Sequence, residues 1–509
     1  MKSIKNKIGG FFENRNLSGG TLTAMLIASV LVLNVILCFL TQSFGWYLYA
    51  ADYQEDFTIS TMSDELFEEA KAANKTVTIT FLMERDALAE HSTGSFVLDT
   101  VEQFKEMHGE FINLRFVNTL TKRDQDGKWV DLDKYRTDMN GNKVTLSRAA
   151  VIFESSDGNY RTLSSVRSGV GFVDFYTFDS SGDIASFNGE TIVSSMISWV
   201  LQDEHKTVYV TANHSEQSDA SLATLLAASG YYVNSINLQD NDVPDDAAMV
   251  LISNPKSDFE KAKAGSGIET EIERLRKYVE KGGNLYISLD PYVSRLDNLE
   301  DLIAEFGIEL SSGVNDSGVS QRYVVRDMEN AITIDGYTLL ANLADTGIAR
   351  DIAATVAKYS NGGIVMRDAA ALKLTGAAEP VLVSSDSSEI TLGGNVVGSD
   401  GKYTVAAYTS VVCDDGNSGS IFVIPSVYLS ASDAITSDSY SNREFLYSLL
   451  EHAFGAKYLP YGANSVTYVS DDLRNLTMGT ARLYTILLLA IPAALAVAGA
   501  AIIIRRKNR

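Results

Sequence analysis

Thr207-Val208-Tyr209-Val210-Thr211, followed by Ala212-Asn213-His214-Ser215-Glu216, is the stretch whose reading decides the fold. Five residues of high strand propensity run into a polar turn. A helical pattern over 218–229 follows and stops at Gly230. Next come strand-like runs at 231–236 and 248–253 and a helical pattern near 268–281. Gly282-Gly283 then leads into a strand over 284–289 that ends in Asp290-Pro291. Strands alternating with helices through short Gly- or Asp-marked turns predict βαβ units and a parallel sheet. Ligands of such sheets bind beyond the C-terminal strand ends. That singles out Asn213, His214, Ser215, Glu216 and Asp290 as contact candidates.

On the N-terminal side, a helix with Ser63 at its N-cap, a strand over 77–83, a helix over 95–107 and a strand over 112–117 predict another βαβ module. It has the pattern of a thioredoxin-like or flavodoxin-like half-unit. Residues 122–146 are polar, with turn signals at Asp126-Gly127 and Asn140-Gly141. A strand is expected over 149–154 and a helix over 189–200. On the C-terminal side, 315–376 mix short strands with polar stretches, and 380–384, 389–392 and 403–410 read as β segments. The apolar run at 420–425 reads as a buried strand returning to the sheet, and 442–454 as a closing helix.

The chain has 509 residues and a net charge of -23. Its first 17 residues carry +3 and its last five +4, so the remainder carries -30. An acidic body repels polyphosphate, which argues against nucleic acid as a partner. Residues 16–51 contain no charge, and the apolar centre near 22–40 is long enough to cross a bilayer. A second uncharged run, 483–504, lies between Arg482 and Arg505-Arg506-Lys507. Within it, Ala490, Ala494 and Ala498 share one helical face beside Gly499, small residues that let another helix approach closely. Both basic tails are expected in the cytoplasm of a bacterial cell, with a large domain outside the membrane. Cys38 lies in the first apolar run and Cys413 in a distant polar region, so no disulfide framework is expected.

His214 and Glu216 could serve as a base and its orienting group, with Asp290 near by, which would make a membrane-anchored hydrolase. No G-x-S-x-G elbow or Walker motif occurs in the sequence. His91, His108, His205 and His452 show no metal-ligand spacing. No catalytic residue, cofactor or metal is therefore assigned. The turn reading of His214 and Glu216 outweighs the catalytic one.

Several stretches, taken in order, carry a family likeness. They are Phe57-Thr58-Ile59-Ser60, Val77-Thr78-Ile79-Thr80-Phe81, Gly189-Glu190, Ser194-Ser195, His214 with Glu216, and Gly230-Tyr231. The series continues with Val243-Pro244-Asp245-Asp246-Ala247, Asn254-Pro255, 278–283, Leu289-Asp290-Pro291 and the last apolar run followed by Arg-Arg-Lys. In this order they resemble the gliding-motility auxiliary component of ABC transporters, the GldG type, a family of ABC-type uncharacterised transport systems. That family commonly shows Gly-His-Gly-Glu where this chain has Asn213-His214-Ser215-Glu216. The resemblance implies a membrane-anchored α/β protein with a thioredoxin-like N-terminal region and a central glutamine-amidotransferase-like domain lacking its catalytic cysteine. It also implies an ABC permease and a cytoplasmic ATPase as partners, with a small molecule, peptide or glycan left open as the ligand.

The organisation expected is a cytoplasmic tail (1–17), a transmembrane helix (18–45), the thioredoxin-like domain (46–188) and the central α/β domain (189–314). A β-rich insertion or extension (315–419) and a return strand with closing helix (420–456) follow. A juxtamembrane segment (457–482), a second transmembrane helix (483–504) and a cytoplasmic tail (505–509) complete it.

Overall fold

Apolar runs of five to seven residues, rich in β-branched side chains and closed by turn residues, form the strands. The computed structural model describes residues 59–467, apart from 61–63, 73, 138–142, 168–169, 179–181, 183, 218, 262–268, 316, 413–417, 438, 458 and 464–465. The apolar stretches at 18–45 and 483–504, including Ala490, Ala494, Ala498 and Gly499, lie outside the described residues. Among the described residues no helix is long and apolar enough to cross a membrane.

The N-terminal part contains α1 (Asp64–Ala72), β1 (Val77–Phe81), α2 (Gly94–His108), β2 (Ile112–Asn118), β3 (Val151–Ser155) and β4 (Tyr160–Leu163). β1 pairs parallel with β2, Val77 opposite Ile112, and antiparallel with β3, Val77 opposite Ser155. A small ladder of β5 (Tyr176–Phe178) and β6 (Ile184–Phe187) precedes α3 (Gly189–Leu201). Although the sequence places α3 at the head of the central domain, its packing belongs to this part. Val193, Ile197 and Val200 share a core with Phe67, Phe104 and Phe153.

The central part follows the expected alternation. It comprises β7 (Thr207–Thr211), α4 (Ala220–Ala228), β8 (Tyr232–Ile236), β9 (Ala247–Ser253), α5 (Glu271–Glu280), β10 (Asn284–Ser288) and α6 (Asp297–Glu305). α5 ends in a turn that requires glycine. Gly282 has φ +92°, and a Cβ on Gly283 would enter the Tyr278 ring.

After α6 the chain forms the hairpin β11 (Ser312–Val314) and β12 (Ser320–Arg322), then β13 (Val324–Arg326), β14 (Thr338–Leu343), α7 (Gly347–Tyr359) and β15 (Ile364–Arg367). β16 (Glu379–Val383), β17 (Ser388–Leu392), β18 (Asn395–Gly401), β19 (Thr404–Val412), β20 (Ser418–Ile424), α8 (Asn442–Phe454) and β21 (Val466–Thr467) complete the order. The returning strand is β20, which pairs parallel with β10, Asn284 opposite Ser420.

One mixed sheet results. β8, β7, β9, β10 and β20 run parallel, and β19, β16, β14 and β15 extend the sheet with antiparallel pairing. Alternation along β9 sends Met249 and Leu251 into one core with Leu226 and Phe445, and Val250 and Ile252 into the other with Leu275 and Leu299. Burial on both faces is why these strands read as unbroken apolar runs.

Candidate functional site

β7 has β8 on one side and β9 on the other, so strand order reverses beside it. Such a switch point opens a crevice at the C-terminal strand ends. The loop after β7 and the loop after β9 meet there. Lys256 N and Ser257 N donate to the His214 carbonyl at 2.8 and 3.0 Å, and Gln217 N donates to Ser253 O at 3.2 Å.

His214 is the keystone of the two loops. It is 2% exposed, and its ring stacks on Phe259 at 3.8 Å between centroids with 14° between planes. Nδ1 lies 3.0 Å from Glu216 Oε1, while the His214 amide donates to Glu216 Oε2 at 2.8 Å. Nε2 lies 3.1 Å from either oxygen of Glu271, the first residue of α5, which is 1% exposed. Burial opposes charge on the imidazole, but the hydrogen bonds to Glu216 and Glu271 outweigh it and push the His214 pKa up to about 9. Burial raises and the His214 contact lowers the Glu216 carboxyl, and the lowering prevails. At neutral pH this is an imidazolium between two carboxylates with both ring nitrogens engaged. It has no free lone pair with which to take a proton or bind a metal. Among the described residues, no group of three or more His, Cys, Asp or Glu side chains could hold a metal ion.

The backbone of the loop explains its composition. Asn213 has φ +85° and Ser215 φ +55°, at the two positions where the resembled family carries glycine. The turn takes left-handed φ values without glycine, with asparagine, which tolerates this region best among residues with a side chain, at one of the two positions. Asn213→Val is expected to lower stability by about 1–3 kcal/mol through backbone strain, whereas Asn213→Gly stays within about 1 kcal/mol of the parent chain. Urea unfolding of the two variants measures the difference. The turn buries His214 and leaves Asn213, Ser215 and Gln217 exposed, so the loop presents amides and a hydroxyl.

Asp290, at the end of β10, joins this crevice to a neighbouring pocket. Its Oδ2 accepts from Lys256 Nζ at 2.8 Å, its Oδ1 accepts from Tyr292 N at 2.9 Å, and its amide donates to Asn254 Oδ1 at 3.1 Å. Asn254 is 1% exposed and also donates to Gln217 Oε1 at 2.7 Å. The Asp290 carbonyl accepts from Arg322 Nη1, and Arg322 Nη2 donates to Glu300. Beyond lies a cavity of about 420 Å³ between the 291–295 loop, the β11–β12 hairpin and the turn after β17, with Tyr292, Gln321, Arg322, Tyr337 and Thr391 on its walls. Sequence reasoning singled out Asp290 but not Glu271, Phe259, Lys256 or Arg322. Only Asn254-Pro255, within the family-like series, hinted at the second loop.

The fold and site together define a mixed α/β protein with an ion-clamped turn at the switch point of its parallel strands. Neither a family model nor a curated protein matches the sequence. Among solved structures, the chain is similar to the mmIFT52 N-terminal domain, with 17% identity and a TM-score of 0.35, covering 48% of this chain and 96% of that one. It is also similar to PurLQS from Thermotoga maritima, with 12% identity and a TM-score of 0.28, covering 49% of this chain and 99% of that one. A ThuA-like protein from Bacteroides uniformis shares 9% identity with a TM-score of 0.28, covering 50% and 95%.

Proposed function

We propose that this chain is an extracytoplasmic auxiliary subunit of an ABC transporter that binds substrate or gates a permease and catalyses no reaction itself. The observation that carries the reading is the meeting of both ends of the described body at Ser60, which a buried carboxylate holds in place. Glu190, 5% exposed at the start of α3, accepts from Ser60 N at 3.0 and 3.1 Å and from Ser60 Oγ at 2.7 Å. Ser60 Oγ also lies 3.1 Å from the Gly462 carbonyl, 402 positions along the chain. Beside it, β21 pairs with β6, Val466 opposite Phe187. The first and last described segments of the body thus lie together, next in sequence to the uncharged runs expected at 18–45 and 483–504.

In this reading both short basic tails lie in the cytoplasm and ATP is hydrolysed by a partner. The N-terminal βαβ part corresponds to a thioredoxin-like module and the parallel strands to an amidotransferase-like one. The engaged nitrogens of His214 favour a positioning role over the hydrolase alternative, which needs a free imidazole.

Purification of the full chain in mild detergent from its native membrane tests this. A permease and an ATPase should accompany it, and recovery as a lone monomer would overturn the proposal. Glu190→Ala should lower stability by about 1–3 kcal/mol, because the Ser60 donors lose their acceptor. It should also speed amide exchange at 59–72 and 459–467 while the central strands stay protected.

A further inference from the structure

One end of the N-terminal sheet gathers apolar side chains that the fold leaves in solvent. Among the described residues of this part, the exposed large apolar side chains are Met107, Leu120, Trp129, Val166 and Val170. Strand register places four of the five together. Phe81 stands opposite Phe116 and Val151, and Val151 opposite Leu163, so one row crosses β2, β1, β3 and β4. The loops after β2 and after β4 both leave the sheet just beyond that row. The first loop carries Leu120 and Trp129, the second Val166 and Val170. Met107, in the last turn of α2, lies by the opposite end, where β2 begins.

The exposure is built into both loops. Asn118 Oδ1 accepts from Leu120 N at 2.9 Å and from Thr121 N at 3.1 Å. Arg123 stands opposite Asn118 and bridges to Trp129, which keeps Trp129 level with the strand end. The next residue, Val130, is buried with Leu132 and Tyr135, yet Trp129 stays 62% and Leu120 93% exposed. In the second loop, Val170 N donates to Arg167 O at 2.8 Å and Arg167 N to Val170 O at 3.1 Å. Val166 is 58% exposed beside this turn. Apolar side chains collected on one face mark a contact with protein or membrane.

Three features select a membrane. The first is position. Lys75, two residues before β1, donates to the Leu201 carbonyl at the C-terminus of α3 at 3.1 Å, so α3 runs against β1. The first turn of α3, with Glu190, therefore lies toward the Phe81 row, where Glu190 holds Ser60 and Ser60 meets the Gly462 carbonyl. In sequence, only residues 46–59 and 463–482 separate that junction from the two uncharged runs of membrane length. The second feature is charge. Residues 119–131 and 164–167 carry Lys122, Arg123, Lys128 and Arg167 against three aspartates, a balance of +1, where the chain outside its basic tails carries -30. Lys122 is tied to Asp133 at 3.2 Å, whereas Arg167 lies over the Phe178 ring, and neither it nor Lys128 has an ion pair among the described residues. The third is Trp129 itself, since tryptophan is the side chain that settles at the headgroup level.

We propose that Leu120, Trp129, Val166 and Val170 dip into the headgroup layer of the membrane that anchors the chain, with Lys128 and Arg167 drawn to anionic lipid phosphates. The inference rests on the membrane-anchored reading and adds an orientation to it. This end of the N-terminal sheet faces the bilayer, and the end with Met107 faces water.

Spin labelling of the full-length chain in nanodiscs of phosphatidylcholine and phosphatidylglycerol in equal parts is the test. With Cys38→Ser and Cys413→Ser as background, a nitroxide is placed at Leu120→Cys or at Met107→Cys, both exposed positions. Dissolved oxygen, which concentrates in lipid, should relax the Leu120 label more than a water-soluble nickel chelate does, and the order should reverse at Met107. Adding Lys128→Glu should lower the lipid-shielded fraction at Leu120 relative to the free one by about tenfold. A chain retained in the discs whose Leu120 label meets nickel as freely as the Met107 label would overturn the orientation and leave the anchors standing. Shielding indifferent to Lys128→Glu, or shielding seen only when a permease copurifies, would overturn it in favour of a protein contact. A chain that an alkaline wash strips from the discs would overturn the anchored reading and this inference with it.

Discussion

His214→Ala should destabilise the chain by about 3–5 kcal/mol, the usual cost of stranding buried charge. The substitution leaves Glu271, 1% exposed, and Glu216, with its side chain 9% exposed, facing one another without a cation, and it removes the ring stacked on Phe259. The pH dependence is the more specific sign. The folded pKa, about 9, stands above the ordinary 6.5. The imidazolium therefore contributes its full stabilisation below pH 6.5 and loses it as pH rises through about 9, a difference on the order of 3 kcal/mol. Glu216 acts in the opposite sense. Its depressed pKa means its contribution is lost on acidification. Urea unfolding of the full chain in detergent between pH 6 and 10 should show stability falling on the alkaline side, and the fall should vanish in His214→Ala. Adding Glu271→Gln to that variant should restore part of the loss, since glutamine can still accept from Glu260 N as Glu271 does at 2.7 Å. An unchanged alkaline limb in His214→Ala would refute the ion clamp.

The second large effect is expected at Arg322. Arg322→Met preserves volume but leaves Glu300, 9% exposed, without its cation, again at about 3–5 kcal/mol. Glu300 also accepts from Leu296 N at 2.8 Å, which anchors the start of α6. The double variant Arg322→Met with Glu300→Gln keeps that acceptor and removes the stranded charge, so it should be clearly more stable than the single one. Amide exchange at 297–305 and 312–322 should rise most in the single variant. Equal stability of the single and double variants would mean that the pair does not hold the hairpin to the helix.

The parallel half of the sheet was legible because each strand is a short apolar run bounded by Gly, Asp or Asn, as at 207–211 and 284–289. The closing helix 442–454 was legible from its own pattern in the same way. α7 was not anticipated within 315–376. Its buried Ala349, Ile352 and Val356 form one stripe, but small and polar residues around them dilute the periodicity. The antiparallel half was read only as separate β segments. Pairing such as Asn342 with Val383 joins residues some forty positions apart, and no local period records it.

The sequence by itself determined the alternating α/β pattern and placed the His214–Glu216 turn at a strand end. It also marked the two uncharged runs. Tertiary structure alone decided that His214 faces Glu271, 57 positions away, that Asp290 and Glu300 flank Arg322, and that Ser60 bridges Glu190 and the Gly462 carbonyl. The physical reason lies in the range of the interactions. Hydrophobic periodicity and turn chemistry act between neighbours and repeat along the chain. A buried charge takes whichever partner the packed strands bring within 3 Å or so, and its identity is fixed only once the fold has formed.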